Sequence, residues 1–162
     1  MSVVNMPLLT RFVRFLVAVA AAAGTLAASA QQMPQARLPT VTLNAGMHQI
    51  IAEVAGTATQ REIGMMMRTQ MAAHEGMLFV FEQPSQQCFW MRNTLLPLSI
   101  AFLADDGTIV NVLEMKPQTL DSHCSAQPVR LVLEMNTGWF AKRGLKAGDR
   151  LRGAPFKAPF KN

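Results

Sequence analysis

Apolar and polar positions alternate along much of this chain, in short runs broken by turn residues. Val129, Leu131, Leu133 and Met135 fall on one face and Arg130, Val132 and Glu134 on the other, the two-residue period of a strand. Shorter strand-like runs cover residues 41–43 and 47–54 around an Asn44-Ala45-Gly46 turn, then residues 77–81, 88–91, 98–103 and 109–115. Gly148-Asp149 punctuates a last short strand that ends at Leu151. Asp105-Asp106-Gly107-Thr108 marks a hairpin, because Asp-Gly supplies the positive φ of a tight β-turn. Helical signals are sparse. Thr59-Gln60-Arg61-Glu62 has the spacing of a capping box and predicts a short helix to about Met67, and residues 139–143 suit a second. About seven strands with turn signals at roughly ten-residue spacing, and too little helix to cover a parallel sheet, predict a mainly-β sandwich or barrel.

Strand parity also sorts the densest stretch of the chain, residues 88–102. Phe89 and Met91 fall on one face and are core candidates, while Cys88, Trp90 and Arg92 fall on the other. Pro97 cannot donate to a ladder and marks a strand start. Residues 116–127 read as a long loop holding Asp121, His123 and Cys124.

The first residues belong to a different pattern. Arg11 and Arg14 precede an apolar, alanine-rich run over residues 15–28, and Ala28-Ser29-Ala30 has the small-x-small form of a signal peptidase site. The expected organisation is a signal peptide over residues 1–30, a polar, proline-containing flexible leader over 31–39, a domain over 40–152 and a disordered tail over 153–162. The apolar run is shorter than the roughly 20 residues a membrane span needs, so no stable span is expected once it is cleaved. The product is then periplasmic or secreted. The chain carries a formal net charge of +5, but its basic residues are scattered apart from a loose cluster over residues 142–152. Without a block of like charges, and with export, nucleic acid is not an expected partner.

Cys88 and Cys124 are the only cysteines. In an exported protein they most simply form one disulfide, and closing a loop of about 36 residues restricts the unfolded chain by roughly 4 kcal/mol. A catalytic thiol, and a metal site of Cys88, His123 and Cys124, are sharper alternatives. The first lacks a neighbouring base in sequence and the second a fourth ligand at recognisable spacing. Met65-Met66-Met67 invites copper(I), but consecutive residues at a helix end point in different directions, and flexible thioethers more often fill gaps in a core. No cofactor is expected.

Several motifs fall in one order: Arg61-Glu62-Ile63-Gly64-Met65-Met66, Glu75-Gly76-Met77-Leu78-Phe79-Val80-Phe81, Phe89-Trp90-Met91-Arg92-Asn93-Thr94 with Pro97-Leu98, and Leu133-Glu134-Met135-Asn136 with Gly138-Trp139. Together they resemble the DUF192 family over residues 41–151. The resemblance implies a compact β-sandwich of jelly-roll type with one or two short helices, and it implies no function. The chain departs from the family pattern at Ser99, where an Asp often follows Pro-Leu. The two cysteines resemble those of an exported subset.

The polar groups expected to converge are Trp90, Arg92, Asn93 and Glu134. One reading is structural: a buried Glu134 gripped by the Arg92 fork would lock two strands. The other is a binding site, with Arg92 and Asn93 as donors, Glu134 as acceptor and Trp90 as a stacking face, suited to a small polar ligand or an envelope glycan. On that reading the protein is a non-catalytic binding or accessory module. An enzyme using Glu134 as general acid or base is the alternative, although a glycosidase needs a second carboxylate and none is evident. A structural or protein-interaction domain is the third. Trp139 is a second stacking candidate. His48, His74 and His123 have no spacing typical of a zinc protease or a Ser-His-Asp set.

Overall fold

The computed structural model describes residues 33–156. The expected signal peptide and residues 157–162 of the expected tail lie outside them. Nine strands form: β1 (Thr40–Ala45), β2 (His48–Ala55), β3 (Glu75–Ser85), β4 (Cys88–Phe89), β5 (Leu98–Leu103), β6 (Ile109–Met115), β7 (His123–Cys124), β8 (Val129–Asn136) and β9 (Arg152–Gly153). One helix, α1 (Ala58–Ile63), lies between β2 and β3, and a 3-10 turn covers Ala141–Arg143. Among the described residues no helix is long and apolar enough to cross a membrane.

The mainly-β expectation holds, but the strands do not divide into the two sheets of a jelly-roll sandwich. Seven of them make one mixed sheet in the order β6-β5-β8-β3-β2-β1-β9, curled into a half-barrel. The difference arises between β2 and β3. They pair in parallel, so the chain crosses over between them, and α1 is part of that crossover. A helix of six residues sufficed for a connection that the sequence pattern alone did not reveal.

Each central strand is buried on both faces. Leu78, Leu103, Leu131 and Leu133 enter one core with Trp139 and Phe140. Met77, Phe79, Ile100, Phe102 and Val132 enter a second, with Met65 and Met91. Alternation therefore sends apolar groups to opposite sides of the sheet rather than to core and solvent, which is why β5 is apolar throughout save for Ser99. The expected parity of β8 holds for Leu131, Leu133 and Met135, which share the first core. Val129 departs from it and enters the second, beside a register irregularity between β3 and β8.

The first core is closed by the end of the chain. The Ile109 amide donates to the Asp149 carbonyl and the Leu151 amide to the Gly107 carbonyl at the β5–β6 turn, after which β9 pairs with the far edge strand β1. Gly153 and Phe156, placed by sequence in the tail, therefore lie in β9 and against the first core respectively. The expected leader is likewise tied down: Leu38 packs on the second core, and Gln35 donates to the Gln60 and Gly64 carbonyls.

The second core carries the crossover and a two-stranded ribbon of β4 and β7. Thr57, not Thr59, caps α1. Its hydroxyl accepts from the Gln60 amide at 3.2 Å, and the Gln60 side chain accepts from the Thr57 amide at 3.0 Å. Gly64 ends the helix at φ 50°, and a side chain there would also press on the Phe79 ring at 3.2 Å. Cys88 and Cys124 face each other across the ribbon and are joined by a disulfide, which occupies both thiolates the metal alternative required. Met65 and Met66 are buried, with Met65 in the second core.

The strongest polar interaction was not foreseen. Glu53, 4 % exposed on β2, receives both arms of Arg68 at 2.6 and 2.7 Å, the Leu38 amide at 2.8 Å and Arg37 at 2.7 Å. Burial pushes the Glu53 carboxyl up, but Arg68, the Leu38 amide and Arg37 outweigh it and hold it below the ordinary value of 4.5. The pair's stabilisation is therefore fully present above about pH 4.5 and is lost as pH falls through the lowered folded-state value. Glu53→Ala, which leaves Arg68 buried without its partner, is expected to cost about 3–5 kcal/mol in urea unfolding at neutral pH. Glu53→Ala combined with Arg68→Met should recover part of that loss. An unchanged midpoint in the single variant would show that the fork contributes nothing.

Candidate functional site

On the second face of the sheet one cross-strand row runs Ile100, Glu134, Met77, Glu53, from β5 through β8 and β3 to β2. It holds two buried glutamates one strand apart, separated by about 9–10 Å of sheet width. Glu53 has its arginines. Glu134 is also only 4 % exposed, yet no ion pair or hydrogen bond reaches its carboxyl from any described residue. Burial alone pushes it up to about 8. At neutral pH it is mostly a neutral acid that can donate as well as accept.

This corrects the expected Arg92–Glu134 pair. Arg92 is exposed, with its guanidinium over the Trp90 ring at 5.7 Å from the centroid. The ribbon ends before it, and residues 90–94 form no strand. The Met91 amide donates to the Thr119 carbonyl, and Asn93 adopts φ 57°. Inward and outward positions in this stretch are as parity predicts: Met91 is fully buried, Phe89 half-buried, and Trp90 50 % exposed.

Glu134 instead lines a cavity of about 340 Å³. Its roof is the crossover, with Ile63, Met65 and Met66, and its other wall is Phe89 and Trp90. An adjoining cavity of about 270 Å³ shares Glu62, Ile63, Met66 and Trp90 with the first and adds Arg92 and Asn93. The four expected site residues thus line one cleft region: Glu134 in the inner cavity, Arg92 and Asn93 in the outer, and Trp90 between them. The Met67 amide donates to the Asn93 carbonyl at 2.9 Å and ties roof to wall.

Arg61 also borders the inner cavity, but its charge is spent. It donates to Glu82 at 3.1 and 3.2 Å and to the Gly56 and Val80 carbonyls at 2.7 Å. Glu62 on α1 is a second carboxyl on the cleft, which sequence reasoning missed. Its signal was available, since it lies one residue before Ile63 in a motif already singled out. Ser99 has a structural part. Its hydroxyl donates to Glu114 at 2.7 Å and accepts from the Gly138 amide at 2.7 Å, so a carboxylate from β6 stands opposite the position where the family pattern often carries Asp. Among the described residues no group of three His, Cys, Asp or Glu side chains is placed to hold a metal ion.

A half-barrel sheet with a short-helix crossover and a cleft over one buried acid defines the class of this domain. The family model for DUF192, whose description is "Uncharacterized ACR", matches residues 40–153, and the chain belongs to that family. It is similar to a solved structure from Sinorhizobium meliloti 1021 described as a "putative transcription regulator", with 37 % identity, a TM-score of 0.71, and coverage of 75 % of this chain and 99 % of that one. It is also similar to a protein of unknown function from Novosphingobium aromaticivorans, with 35 % identity, a TM-score of 0.65, and coverage of 70 % of this chain and 83 % of that one. A comparison with curated proteins gave no match.

Because the folded-state value of Glu134 lies above the ordinary 4.5, the folded protein binds the extra proton between about pH 4.5 and 8. Stability should fall as pH rises through that window, at up to about 1.4 kcal/mol per pH unit. Glu134→Gln, which keeps the shape and removes the titration, should flatten this slope in urea unfolding measured at several pH values. A slope that survives the substitution would assign the titration to another group.

Proposed function

We propose that this domain is a non-catalytic binding module of an exported, oxidising compartment, and that its cleft takes a small polar ligand of the size of a sugar ring. The carrying observation is the carboxyl of Glu134, which lines a cavity with largely apolar walls and meets no hydrogen-bond partner among the described residues. A few aimed polar groups on apolar walls are what a small-molecule site requires. On this reading Glu134 exchanges hydrogen bonds with a ligand hydroxyl, Trp90 offers its exposed face for stacking, and Arg92 and Asn93 contact the outer end of the ligand. A periplasmic or secreted location rests on the leader pattern of residues 1–30 and agrees with the disulfide.

General acid catalysis is the second reading, and Glu62 favours it: two carboxyls border the inner cavity, one of them kept protonated near neutral pH. The two readings part on turnover. A binding module leaves its ligand intact, whereas an acid catalyst consumes it and loses that activity in Glu134→Gln.

Thermal-shift screening against simple sugars, sugar acids and glycan fragments tests the proposal. A true ligand at a hundred times its dissociation constant should stabilise the protein by about 2.7 kcal/mol. Trp90→Ala, at a half-exposed position, should keep the fold and weaken binding about tenfold, or roughly 1.4 kcal/mol. A panel without a hit, or hits that Trp90→Ala leaves unaffected, would remove the basis for the cleft reading.

A further inference from the structure

The loose basic cluster that begins at Lys142 has no part in the Glu134 cleft. It borders a separate cavity of about 380 Å³, which shares no lining residue with that cleft and is lined by Asn136, Thr137, Trp139, Lys142 and Arg143 among others. Two cations face it and no carboxylate does. Glu114 on β6 is engaged with Ser99, Thr137 and the Gly138 amide and does not line it.

The two cations differ in how they are held. The Arg143 guanidinium lies 4.2 Å from the centroid of the Trp139 ring, and its Nη1 donates to the Trp139 carbonyl at 3.0 Å. Trp139 is a fixed platform, 3 % exposed and pinned by its indole N–H to the Ala73 carbonyl at 2.9 Å. The remaining edge of the guanidinium, Nε with Nη2, makes no hydrogen bond to any described residue, and Nε is shielded from water. That edge is the fork by which arginine takes two oxygens of one oxyanion. A shielded N–H without a partner is costly enough to call for an explanation. Lys142 is exposed and adds a second charge beside Gly138. Asn136 gives its amide hydrogens to the Met71 and Ala72 carbonyls, so anion binding would fall to the two cations.

We propose that this cavity is an anion site, in which the Arg143 fork, laid on Trp139, and the Lys142 ammonium together take a phosphate-type oxyanion. The probe is inorganic phosphate, titrated at constant ionic strength and pH into the protein while the Arg143 Nε–H and Trp139 indole N–H signals are followed by NMR. Saturable shifts at both are expected in the millimolar range. Arg143→Lys keeps the charge and loses the fork, so it should weaken binding about tenfold, read from the Trp139 signal. Lys142→Ala, at an exposed position that should not disturb folding, should weaken binding less. Absence of saturable shifts up to tens of millimolar phosphate overturns the site. Equal affinity in the wild type and Arg143→Lys overturns the role of the fork.

Discussion

The grip of Arg68 on Glu53 is the constraint on which the cleft depends. The crossover from β2 to β3 carries a helix of only six residues, none of them fully buried. Such a helix is far below the length at which helical propensity holds a segment in place. What fixes the crossover is its attachment to the sheet: Arg68 to Glu53, Met65 in the second core, and the Met67 amide on the Asn93 carbonyl. Two of these attachments, at Met67 and Arg68, directly follow the methionines that roof the Glu134 cavity. The ion pair is buried, so desolvation consumes much of its Coulomb energy. The paired fork and the Leu38 amide satisfy the Glu53 carboxylate, which helps a buried pair to be tolerated, while the Arg68 Nε–H meets no partner among the described residues.

The row that holds Glu53 and Glu134 contrasts two fates of one side chain. Both sit in mid-strand on the same face with Met77 between them. One has become a structural anion. The other meets no counter-charge among the described residues, and burial pushes its carboxyl well above the ordinary glutamate range. Environment alone separates them, the usual way in which one residue type serves two purposes in one protein. A sheet with both faces buried accepts the second fate only where space adjoins the acid, and the cavity under the crossover supplies that space.

Much of this was legible in the alternation of the chain. Period-two parity placed Phe89 and Met91 inward and Trp90 and Arg92 outward. Asp106-Gly107 marked the β5–β6 turn, and the two cysteines formed their bridge. Parity could not say which distant strand a buried group faces, and there the reading failed. A mid-strand Glu134 that needs a partner makes an Arg92–Glu134 pair one reading of the sequence, yet the fork that forms is Arg68 on Glu53, a glutamate equally flanked by apolar neighbours. The parallel pairing of β2 and β3 was hidden for a related reason. The capping pattern marks a short helix here, but a six-residue helix carries no signal that the strands on either side of it pair in parallel. The cap is a smaller case: the sequence pattern points to Thr59 with Glu62, and the chain uses Thr57 with Gln60.

The strap formed by the last strand sets an order on folding. Among the described residues the outer edge of β1 pairs with Arg152 and Gly153, and the β5–β6 turn is bonded to the residues just before them. A chain made from its N-terminus holds Leu43 ready long before its partner Gly153 exists. Until then β1 presents unpaired backbone to any other strand nearby, the surface through which incomplete β-proteins associate wrongly. Losing the chain from Arg152 onward would thus expose a sticky edge on an otherwise finished sheet, so the hazard there is aggregation rather than unfolding.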